Sequence, residues 1–213
     1  MATPSEPSSP DSALPTPGVH AERSELDEML FDPAGQRQYW ASTPRLLVLT
    51  SVMEYHTAES SHYAATSERV SAEELQSLVD DLSRALAVLT TGAFEQFAVV
   101  EYETVAAGTS VSIVRPNQIV VGRFQGVRRL ANSIGFGGRK SRRDGAIVGA
   151  AVVLDNDFDR ASSMRGLLRT HELGHALGFN HVKSRPSIMN PSIGSDMTGY
   201  DRQVAMLAFQ RPQ

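Results

Sequence analysis

The chain has 213 residues, 41% of them hydrophobic, enough for one domain with a sizeable core and too few for two comfortable ones. A formal net charge of -4 gives no global field favouring nucleic acid or an anionic membrane, and no stretch approaches the ~20 apolar residues needed to span a bilayer. There is no cysteine, so disulfides, thiolate metal sites and a cysteine nucleophile are excluded, and any metal has to be held by nitrogen or oxygen.

Residues 1–18 hold five prolines among Ser, Thr and Ala, a composition that buries too little apolar surface to fold. Residues 1–40 therefore read as a disordered or loosely docked arm, and 41–213 as the folded domain. The N-terminus lacks the basic start and apolar run of a secretory signal. Arg45–Met53 is a short apolar run and reads as a buried strand. Ser71 and Glu74 have capping-box spacing, and Leu75, Leu78, Val79, Leu82, Leu86 and Leu89 follow on one helical face up to Gly92. Further strands are expected over Phe94–Tyr102 and Gln118–Phe124, and a strand covered on both faces over Ala146–Leu154. Helices follow at about Ser162–Leu177 and Tyr200–Phe209. The expected fold is α+β, a twisted mixed sheet of about five strands with three helices packed on it.

Residues 171–181 read His-Glu-Leu-Gly-His-Ala-Leu-Gly-Phe-Asn-His. His171 and His175 are four apart, so on a helix both imidazoles project from one face and can share a metal. Glu172 lies beside the first of them, where a carboxylate can reach a metal-bound water without ligating the metal. Gly178 accepts the left-handed conformation that ends a helix, and the resulting turn brings His181 back as a third ligand. Three neutral imidazoles and one open position form the arrangement of a catalytic zinc site, whereas a structural site is closed by a fourth protein ligand. Half of the chain's six histidines fall in this window, which weighs against chance. A zinc hydrolase, an aminopeptidase among them, and a non-catalytic zinc-binding protein both remain compatible with these residues.

The segment resembles the extended zinc signature of the metzincin metalloproteases. Downstream, Ser187-Ile-Met-Asn-Pro191 is similar to their Met-turn, with Met189 as the packing methionine beneath the metal. The short link from His181 to Met189 resembles the matrixin branch, as does Asp201–Leu207 in the C-terminal helix. Leu130, Ala131, Asn132, Ser133 and Ile134, continuing to Phe136, resemble the edge strand on which matrixins pair an extended substrate. The resemblance is specific over about 160–191, weak over about 44–155, and absent from 1–40.

It implies a zincin-like catalytic domain, a secreted or periplasmic setting, and proteolysis of protein or peptide substrates at internal bonds. Zn²⁺ would be held by His171, His175 and His181, with Glu172 as general base. Ca²⁺ is a further candidate cofactor at Asp155, Asp157 and Asp159, an acidic turn where matrixins carry calcium ligands.

The chain departs from the pattern in three ways. Only His20, His56 and His62 remain for a second, structural zinc, so none is expected. Asn190 and Pro191 stand where relatives place a tyrosine, with Tyr200 as the next candidate. No cysteine is present to block the metal from a latency segment. Residues 123–143 hold seven Arg or Lys and no Asp or Glu, and read as a solvated basic loop or an exosite for acidic substrates. Their glycines lack the Lys-Ser/Thr pair of a phosphate-binding loop.

Overall fold

A computed structural model describes residues 23–209. In chain order the elements are α1 (Arg23–Leu30), β1 (Arg45–Leu49), β2 (Ser51–Glu54), β3 (His62–Arg69), α2 (Ala72–Leu89), β4 (Val100–Glu103), β5 (Ser110–Ser112) and β6 (Gln118–Gln125). Then come α3 (Val127–Ala131), β7 (Gly135–Ser141), β8 (Ile147–Asp155), α4 (Asn156–Ala161), α5 (Arg165–Leu177) and α6 (Gly199–Phe209). The architecture is α+β, but with eight strands and six helices among the described residues rather than about five and three. The difference lies in short elements. The expected strand over 45–53 is split at Thr50 into β1 and β2, while β4, β5, α3 and α4 are each six residues or fewer.

The sheet is mixed. β6 lies parallel to β1 and β2 on one side and to β8 on the other, and β4 extends the parallel part beyond β1. β3 pairs antiparallel with β2, β5 with β3, and β7 with β8. Among the described residues β7 pairs with no other strand and forms an edge.

Strand alternation divides the apolar residues into two cores. Leu46, Val48, Ile119, Val121, Ala150, Val152 and Leu154 face the helices α2, α5 and α6. Leu47, Leu49, Val120, Ala151 and Val153 face the other way, onto Tyr55, Tyr63, Val105 and Ile113.

Ser71 caps α2 as its spacing predicts: its side chain accepts from Glu74 N–H, and the Glu74 carboxylate accepts from Ser71 N–H. Caps of this kind contribute about 1 kcal/mol. The helix stops because the chain then wraps around Thr90, whose hydroxyl contacts Leu86 O and Phe94 O while accepting from Phe94 N–H. For that reason the strand expected from Phe94 starts only at Val100, and Phe94 and Phe97 fill the helical core from a loop.

The segment expected as an arm is part of the body from residue 23 onward. Leu26, Met29, Leu30 and Trp40 are buried, and Tyr39 bridges to Ala146 at the start of β8. Residues 1–22, His20 included, and 210–213 lie outside the described residues.

A charged cluster ties α5 to the rest. Asp159, fully buried on α4, accepts from Arg123 Nε (2.8 Å), Arg169 Nε (2.7 Å) and Arg169 Nη2 (2.8 Å). Arg169 also bonds Asp81 on α2 (2.7 Å), and Arg123 pairs with Glu74 (2.8 Å). Burial alone would raise the Glu74 carboxyl, but Ser71 N–H and Arg123 outweigh it and hold it at about 2.

These contacts bear on two expectations. Asp155 and Asp159 are not free carboxylates: Asp155 caps α4 through Phe158 N–H and accepts from Arg128 N–H. Asp157 is exposed, and Asp159 is taken up by two guanidinium groups. Nor is 123–143 one solvated basic loop, since Arg123 is buried and Arg139 reaches inward.

Candidate metal centre

α5 carries Leu168, Leu173, Ala176 and Leu177 on its core face and His171, Glu172 and His175 towards a cleft. The helix ends at Gly178, whose φ of 117° is left-handed. Gly178 N–H bonds His175 O (3.1 Å) and Phe179 N–H bonds Gly174 O (3.0 Å), the paired bonds of a Schellman ending. The turn returns the chain so that His181 closes on the other two.

Ring centroids are 4.8 Å apart for His171 and His175, 5.3 Å for His171 and His181, and 4.6 Å for His175 and His181. Their candidate ligand nitrogens all lie within 4.8 Å of one another, and this is the one group of three or more His, Asp or Glu of that kind among the described residues.

The tautomers follow from the partners. Nδ1 of His171 is 2.8 Å from Ile188 O, and Nδ1 of His175 is 2.9 Å from Phe179 O. A carbonyl can only accept, so both Nδ1 atoms carry the proton and both Nε2 atoms present a lone pair. His175 Nε2 lies 3.0 Å from His181 Nε2.

Burial pushes all three imidazoles below their ordinary range, His175 to about 3, with neighbouring positive charge adding to the effect. They are therefore neutral at pH 7, the form that ligates. Three neutral imidazole nitrogens converge closely enough to bind a metal ion.

Glu172 is 5% exposed and lies under β7. Burial pushes its carboxyl up to about 8, against a hydrogen bond from Gly137 N–H that acts the other way.

The strand lies this close because of glycine. A Cβ on Gly135 would sit 3.0 Å from Glu172 Oε1, and one on Gly137 would overlap Glu172 O and stand 2.6 Å from His175 Cβ. Gly137→Ala is therefore expected to force β7 off α5 and cost about 1–3 kcal/mol, read as a fall in the melting temperature. An unchanged melting temperature would show that the strand can back away freely.

The edge strand begins later than the resemblance implies. Leu130 and Ala131 close α3, Asn132 ends it in the left-handed region (φ 51°), and Ser133–Ile134 form the link. Pairing starts at Gly135, opposite Leu154. Asn132, Ser133 and Ile134 still line the cleft, as do Gly135, Phe136 and Gly137.

The cleft measures about 1220 Å³, and its lining also includes Pro191, Ser192 and Ile193. Beneath the histidines, Met189 is fully buried, its sulfur 2.5 Å from where a Cβ on Gly174 would stand. Asp201 fixes this turn by accepting from Ser187 Oγ, Ile188 N–H (3.1 Å) and Thr198 N–H (2.8 Å). Asn190 points inward. Its amide donates to Val182 O (2.7 Å) and Arg185 O (2.8 Å), stapling the turn to the segment after His181. Tyr200 lies under Arg185 and outside the cleft lining.

No protein-family model and no curated protein matches this chain. Function has to be read from the residues.

Proposed function

We propose that the chain is a zinc-dependent endopeptidase of the metzincin type, with a zincin-like fold and closest in kind to the matrixins. The observation that carries this reading is the juxtaposition of three converging neutral imidazoles, a buried glutamate beside two of them, and an unpaired strand edge along the same cleft. The buried methionine under the helix and the parallel arrangement of β1, β6 and β8 add support.

His171, His175 and His181 would hold Zn²⁺, which when bound supplies a Lewis acid for a carbonyl and lowers the pKa of water to around 7. The chain's own groups do the rest. The outer edge of β7 offers N–H and C=O groups to an extended peptide backbone, so recognition needs little from the substrate's side chains. Glu172 takes a proton from the attacking water and delivers it to the leaving amine. Its carboxyl, raised by burial, is matched to proton exchange near neutral pH. Ile188 O and Phe179 O keep two imidazoles in the ligating tautomer throughout.

The test is cleavage mapping by mass spectrometry on an unfolded protein mixture, with zinc-loaded protein and with protein stripped by a chelator. Internal cuts that disappear on stripping and return with zinc are expected. Trimming confined to chain ends would make the protein an exopeptidase, and no cleavage by protein holding one zinc would leave a binding scaffold.

A further inference from the structure

We infer that the segment 23–40 is a working part of the metal centre, with Glu28 as a positioning residue for the turn that carries His181. The inference rests on the three-histidine metal site proposed above.

His171 and His175 are held by α5, and each has its Nδ1 fixed by a backbone carbonyl. His181 has neither support. It lies on an exposed stretch outside any helix or strand, and its ring Nε2 meets Nε2 of His175 itself. Its position is therefore set by the backbone on either side of it.

That backbone is gripped both from the N-terminal segment and from the body. Before His181, Asn180 N–H donates to Met29 O (2.9 Å), and Gly178 lies so close to Gln38 O that a Cβ would stand 2.5 Å from it. After His181, the Glu28 carboxylate accepts from Lys183 N–H (2.6 Å) and from Ser184 Oγ (2.6 Å). Trp40 Nε1 donates to Ala176 O (2.9 Å), one turn back on α5. The body adds ties of its own: Arg139 to Asn180 Oδ1 (2.7 Å) and Phe179 O (3.2 Å), Val182 N–H to Met189 O (2.9 Å), and the Asn190 amide to Val182 O (2.7 Å) and Arg185 O (2.8 Å).

Glu28 is the member of this set that can be changed without emptying the core. Leu26, Met29 and Trp40 are buried, so deleting the segment would confound positioning with folding. Glu28 is only partly buried, and its two bonds end on the strand of chain that follows the ligand. Losing a partner at one remove from a metal typically lowers metal affinity 10–100-fold.

The experiment uses the full chain. Zinc affinity is measured by competition with a chromophoric chelator for wild type, Glu28→Ala, Glu28→Gln and Ser184→Ala, and the visible spectrum of each Co²⁺-loaded protein is recorded. Melting of the metal-free proteins is followed alongside. Glu28→Ala is expected to bind zinc about ten-fold more weakly and to alter the Co²⁺ spectrum, with metal-free melting little changed. Glu28→Gln keeps an acceptor for Lys183 N–H and should recover part of the loss. Equal zinc affinity and an unchanged spectrum in Glu28→Ala would overturn the positioning role, as would a metal-free melting loss large enough to account for the whole effect. Wild type that binds no zinc would instead overturn the metal site itself.

Discussion

Glu172→Gln is expected to keep its zinc and lose about 10²–10⁴-fold in peptide hydrolysis, the range that a positioned acid–base group contributes. Glutamine fills the same volume under β7, so the close contact with Gly135 and Gly137 survives, and His171 and His175 keep their carbonyl partners. What is lost is the ability to take up and release a proton. A neutral amide also removes a carboxyl that burial already disfavours as an anion, so the substitution should not unfold the protein. Metal content by elemental analysis, set against the turnover of a quenched peptide, separates the two effects. Near-normal turnover with full metal would mean that Glu172 is not the base.

The second large effect concerns stability. Asp159→Ala removes the anion shared by Arg123 and Arg169, whose side chains are 2% and 1% exposed. Each guanidinium keeps one other carboxylate, Glu74 and Asp81 respectively, but neither can move into solvent. Leaving buried charge without its partner costs about 3–5 kcal/mol. That is a large part of the 5–15 kcal/mol that holds a typical domain together. Urea unfolding should show the midpoint falling steeply, and zinc binding should weaken with it, because Arg169 lies on the helix that carries His171 and His175. A loss below about 1 kcal/mol would show that water or rearrangement replaces the carboxylate.

These two residues mark where the sequence was legible and where it was not. The histidines and Glu172 are neighbours in sequence, and helix periodicity plus one glycine suffices to bring them together. Asp159 meets Arg123 across 36 positions and two elements, so its spacing from Asp155 and Asp157 suggested a cation where the fold supplies guanidinium groups. The same limit hid β3, whose alternation of buried and exposed positions carries few large apolar residues. It also hid β7, where glycine reads as loop until a helix is seen to lie against it. In the N-terminal segment the prolines of 1–18 dominated the composition, although Leu26, Met29 and Leu30 stand at helical spacing just beyond them.

Gly135 and Gly137 leave nothing compressible between β7 and α5. On that side the cleft has a hard floor, and it cannot widen to admit a larger guest. Adaptation to bulk falls to other parts of the lining such as Pro191, Ser192 and Ile193, a stretch outside any helix or strand. Under the proposed function, selection among substrates by size would lie in a loop, while His171, Glu172 and His175 stay on a frame that does not yield.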